Sequence, residues 1–137
     1  MIVFDTNVAS ELMKPTPDDA VRNWYTAQRS RGLYMTAITV AEIRYGIARM
    51  PDGRRKDRMS DVAGEIFTEC ADAILPFDVV AAVLYSQVVS DRDRAGLPIA
   101  PADAQIAAIC RIVDATLATR NTKDFAGTGI RLVNPWE

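Results

Sequence analysis

A chain of 137 residues, 49% hydrophobic and 25% charged, has the size and balance of one globular domain with a proper core, which excludes a disordered polymer. Its formal net charge of -2 argues against indiscriminate coating of nucleic acid and leaves room for a local basic patch. The sequence contains no histidine, which excludes Ser-His-Asp and Cys-His nucleophilic machinery, histidine-based nucleases and zinc sites that need imidazole.

Neither a GxxxxGK(S/T) loop nor a GxGxxG turn is present, so the usual ways of cradling a nucleotide are absent and chemistry must run on carboxylates, hydroxyls, lysines or arginines. No basic stretch followed by an apolar one opens the chain and no apolar run approaches a membrane span, so a cytoplasmic location without a membrane partner is expected. Cys70 and Cys110 each sit in a helical pattern without a CxxC partner and are expected as buried free thiols.

In chain order, Ile2-Val3-Phe4 is a buried-strand pattern that runs straight into Asp5-Thr6-Asn7 and so delivers Asp5 to the carboxyl end of a strand, where open α/β sheets bind ligands. The competing role for these three residues is to cap a helix that begins near Val8. That helix ends at Lys14-Pro15. A second runs from Pro17-Asp18 to about Gln28 with Val21, Trp24 and Tyr25 on one face. Leu33 to Met35 reads as a strand, Thr39 to Arg49 as a helix closed by the Pro51-Asp52-Gly53 turn, and Arg54 to Cys70 as a long amphipathic helix with Met59, Val62, Ile66 and Phe67 along one stripe. Strands over Ala73–Leu75, Ala115–Ala118 and Ile130–Val133 and helices over Val79–Ala95 and Pro101–Val113 complete the pattern. The alternation predicts one α/β domain over residues 1–137, a three-layer α/β/α arrangement with a central parallel sheet of four to five strands.

Four acids stand out against this frame. Glu42 lies in Thr39-Val40-Ala41-Glu42, a capping-box pattern, with the helix-weakening Gly46 one turn on. Asp103 follows Pro101 in the first turn of its helix, where an acid suits the macrodipole, yet it stands three, four and seven positions before Ile106, Ala107 and Cys110 and so falls on the apolar stripe. A carboxylate there needs a partner, and a metal ion is a common one. After the fourth strand, Thr119-Arg120-Asn121-Thr122-Lys123-Asp124-Phe125 gathers hydroxyl, amide and carboxylate oxygens, with Phe125 free to pack back on the core.

Taken together, Phe4-Asp5-Thr6-Asn7, Ile38 through Gly46, Ala102-Asp103 and Thr119 through Phe125 occur in the order and spacing of the PIN domain. The chain resembles the VapC and FitB type of toxin ribonuclease along its whole length, down to Asn134-Pro135-Trp136. The resemblance implies an acidic pocket binding Mg²⁺ or Mn²⁺, RNA as substrate, a cognate antitoxin of a type II toxin–antitoxin pair, and a homodimer. Carried over by position, Asp5, Glu42, Asp103 and Asp124 match the catalytic acids, with Asp5 and Asp103 as the principal metal ligands. Asn121 stands where many relatives have Asp and becomes a neutral oxygen donor. Thr6 and Asn7 would orient Asp5 or a metal-bound water, and Thr119 would contact such a water or a phosphate.

For the polyanionic substrate, Arg120 and Lys123 flank the fourth acid and are candidate RNA contacts, while Arg49, Arg54, Arg55, Lys56 and Arg58 cluster around the Pro51-Asp52-Gly53 turn, where a solvated face is favoured over RNA contact as the alternative. Two alternatives stay open on the residues alone. Asp5 could be the nucleophile of a phosphatase or phosphoacceptor, although Asn7 stands where a second Asp is usual, or the chain could be a catalytically inactive PIN-like binding module.

Overall fold

The computed structural model describes residues 1–137. Strand β1 (Ile2–Phe4) lies at the centre of a five-stranded sheet in which β2 (Leu33–Thr36) and β3 (Ile74–Leu75) extend to one side and β4 (Thr116–Ala118) and β5 (Arg131–Val133) to the other. All four pairings are parallel, with Val3 opposite Tyr34 and Phe4 opposite Ala118. The strands are two to four residues long, and alternation along them divides two cores. Val3 and Leu117 face a core with α5 (Val79–Arg94) and α6 (Pro101–Ile112), while Phe4 and Ala118 face one with α1 (Thr6–Leu12), α2 (Asp19–Gln28), α3 (Ala37–Ala48) and α4 (Arg54–Glu69). This is the expected three-layer α/β/α architecture, built because each parallel crossover needs a helix that buries one apolar stripe on the sheet.

The amphipathic readings of α2 and α4 hold. Val21 is fully buried, Tyr25 meets Phe4 edge-on with centroids 6.5 Å apart, and Met59, Val62, Ile66 and Phe67 pack on the first core. Cys110 is buried and Cys70 half-buried, both free. Burial pushes both thiols up, Cys110 to about 12, so neither is a nucleophile at neutral pH.

Two helix starts differ from expectation. Helix α1 begins at Thr6 rather than Val8, because Asp5 is its N-cap and accepts the Val8 N–H at 3.0 Å. Helix α3 begins at Ala37 rather than Thr39, since Thr36, the last residue of β2, turns directly into the cap and accepts the Thr39 N–H at 3.2 Å. The capping box of Thr39 and Glu42 is therefore not formed. With the cap supplied upstream, Glu42 sits in the second turn and its carboxylate is released for another use. Strands β3, β4 and β5 each begin one residue later than the sequence suggested, at Ile74, Thr116 and Arg131.

Candidate active site

The chain steps outward from β1 to β2 and β3, then returns to the other side for β4 and β5. The carboxyl ends of β1 and β4 are therefore the point at which strand order reverses, the crevice where open parallel sheets receive ligands. Asp5 follows β1, Glu42 rides on α3 after β2, Asp103 opens α6, and Asn121 and Asp124 follow β4. Asp5, Glu42 and Asp103 line one cavity of about 190 Å³ together with Thr6, Asn7 and Asn121, over a floor of Ile106 and Phe125.

Each acid is held differently. Asp5 is 4% exposed, and burial raises its pKa against the opposing effect of hydrogen bonds from Thr119 and from the Val8 and Asn7 amides. Glu42 accepts the Thr6 hydroxyl at 2.6 Å, and that hydroxyl lies 3.2 Å from the buried Thr39 hydroxyl. Asp103 is raised to about 6, first by burial and then by the negative charges of Asp124, Glu42 and Asp5. Asp124 lies on the short helical turn Thr122–Phe125, which the buried Phe125 ring fastens to the second core. None of the four acids forms an ion pair. Like charges gathered without an ion-pair partner are a deficit that a hard divalent ion would make good, and oxygen donors alone suit Mg²⁺ or Mn²⁺. No three acids are drawn together in ligating geometry.

Several assignments change in detail. Thr6 serves Glu42 rather than Asp5, and Asn7 reaches Asp5 through its backbone amide. Thr119 is fully buried and accepts the Asn121 N–H at 3.0 Å, its hydroxyl favours the ionised form of Asp5, and it does not line the acid cavity. Arg120 lies over the Trp136 ring at 5.0 Å and close enough to Glu11 to favour that carboxylate; it does not line the acid cavity. Lys123 is exposed and unpaired.

Sequence reasoning missed Arg92 and Glu11. Arg92, 5% exposed on α5, donates to the carbonyls of Leu97 and Ala126, tying the approach to α6 to the end of the Asp124 turn, and its charge partly offsets the raised pKa of Asp103. Backbone acceptors leave no side-chain pattern to find. Glu11, also buried, accepts from Lys14 at 2.9 Å and from the Asp18 amide at 3.0 Å, closing the α1–α2 turn; its i,i+3 spacing to Lys14 was the available signal.

A model of the PIN domain matches residues 2–130. The chain belongs to the PIN domain family. It is 43% identical to the VapC ribonuclease Y4jK of Sinorhizobium fredii, covering 100% of this chain and 99% of that protein, and 38% identical to the toxin FitB of Neisseria gonorrhoeae, covering 99% of each. Among solved structures it superposes on FitAB bound to a DNA fragment with a TM-score of 0.93, at 38% identity and covering 100% of this chain and 96% of that one. Within the family it is therefore of the VapC and FitB type.

Proposed function

We propose that the chain, as a single PIN domain, is the toxin of a type II toxin–antitoxin pair and acts as a metal-dependent ribonuclease in the cytoplasm. The observation that carries this reading is the convergence of Asp5, Glu42 and Asp103 on one cavity at the strand-order reversal, with Asp124 near enough to raise Asp103 and only Arg92 partly offsetting their charge. Asp5 and Asp103 would hold Mg²⁺ or Mn²⁺, supported by Glu42 and Asp124. When bound, the ion supplies an activated water and offsets charge on the phosphodiester. Glu42, held by Thr6, would position the attacking water, and Asn121, which lines the cavity, and Lys123, exposed on the Asp124 turn, would meet a phosphate.

The names of the relatives support the substrate class and the partner. They include a VapC ribonuclease and a toxin, and the superposed structures include toxin–antitoxin complexes. A homodimer is supported by Val79, Val80 and Val83 on α5, which are 80%, 58% and 65% exposed and form an apolar face that association would cover. Cleavage of a mixed-sequence single-stranded RNA tests the reading. Activity should require Mg²⁺ or Mn²⁺, vanish in chelator and vanish in Asp103→Asn. Persistence of full activity in either case counts against it. A phosphoacceptor would trap beryllofluoride on Asp5; this chain should not.

A further inference from the structure

Gly46 lies within α3 at a position where a side chain would fit. Its backbone is helical, where glycine is costly, and a Cβ built there meets nothing within 4 Å. No neighbour in the chain needs that space. What it leaves open is a hollow of about 230 Å³, walled by Met13, Ile43, Ile47, Met50 and Met59. This hollow shares Thr6 and Glu42 with the acid cavity, so the two lie on adjoining sides of these residues. At its other end Met50 also lines a hollow of about 380 Å³ at the Pro51–Arg55 turn, beside Arg54 and Arg55. Neither arginine is ion-paired, and the one carboxylate there, Asp52, is engaged by Lys56 at 3.2 Å.

Resting on the ribonuclease reading, we propose that this groove, from Glu42 across Gly46 to Arg54 and Arg55, is the track for the single-stranded RNA segment on one side of the scissile phosphate. The chemistry is ordered along it as a strand requires. The acids face the phosphate to be cut, the apolar hollow with its polarizable thioethers receives a flat base, and the free guanidinium groups meet the next phosphates. At about 230 Å³ the hollow is smaller than the roughly 300 Å³ at which ligand pockets usually begin, a size suited to a single base.

The test uses full-length protein and a short fluorescent mixed-sequence RNA, with affinity measured in a cleavage-inactive Asp103→Asn background and kcat and KM in the active one. Gly46→Ala should raise the unfolding midpoint, since the methyl meets nothing, and yet raise KM. Gly46→Leu should weaken RNA binding about tenfold with kcat changed little. The Arg54→Ala, Arg55→Ala double variant should flatten the slope of log affinity against log salt by about 1.4, or about 0.7 for each phosphate contact. Unchanged affinity, KM and salt slope in a protein that still cleaves RNA would overturn the track and leave the nuclease reading intact. Unchanged RNA binding in Gly46→Leu with a loss of self-association in light scattering would assign the groove to a second copy and overturn it as well. Failure of the wild-type protein to bind or cut RNA would overturn both readings together.

Discussion

Asp5 has two duties that pull on its carboxylate in opposite directions. As the N-cap of α1 it is held ionised by the Val8 and Asn7 amides and by Thr119, whereas burial favours the protonated acid. Asn is as good an N-cap as Asp, so Asp5→Asn should leave α1 capped, keep the unfolding midpoint or raise it by relieving repulsion, and cut RNA hydrolysis by orders of magnitude. A fall of several degrees with activity retained would mean that the cap is the residue's whole role. Asp103 yields a pH prediction. Its folded pKa of about 6 lies above its ordinary value of 3.8, so between those values the folded protein binds more protons than the unfolded one and stability falls as pH rises. Metal-free protein should therefore gain stability from pH 7 to pH 5, by on the order of 1 kcal/mol after solvent screening. In Asp103→Asn the gain should shrink. Thermal melts across that range check it.

At the scale of elements, the β2–α3 junction does more than join a strand to a helix. Thr36 caps α3, Thr39 supports Thr6, and Thr6 fixes Glu42. Thr36→Ala should cost about 0.5 to 2 kcal/mol through the lost cap, read in urea unfolding. Thr6→Val should leave stability within about 1 kcal/mol, the net worth of a hydrogen bond, while lowering kcat through a misplaced Glu42; an unchanged kcat would detach Thr6 from the site. This junction also marks where local pattern misled. Thr39-x-x-Glu42 satisfies the capping-box rule, but Thr36 lies three residues upstream at the strand end, and the first available cap takes the position. The strand-to-acid pattern at Asp5 and the apolar-stripe position of Asp103 were legible because both follow from short-range periodicity. Arg92 was not, because its acceptors are backbone carbonyls five and 34 residues away, brought to it only by tertiary packing.

At the scale of the molecule, parallel strand order places the acids where they can act together. Although Asp5 and Asp124 are 119 positions apart in sequence (124 minus 5), the pairing of β1 with β4 sets both at the same edge. Alternation of strand and helix was sufficient to give the three layers, since short apolar strands joined by amphipathic helices have few other ways to bury both faces. The exposed valines of α5 bear on assembly. Light scattering at micromolar concentration should give twice the 15.1 kDa chain mass, and Val80→Asp with Val83→Asp should return the mass to that of one chain; a wild-type value near 15.1 kDa would remove the dimer.

Whether the acids form a divalent-metal site is decided by calorimetric titration of Mn²⁺ into wild-type protein and into Asp103→Asn at pH 7, with the unfolding midpoint of each recorded. The wild type should show saturable binding and metal-dependent stabilisation, both lost in the variant while its metal-free fold is as stable or more so. Equal Mn²⁺ affinity in the two proteins would contradict the metal site.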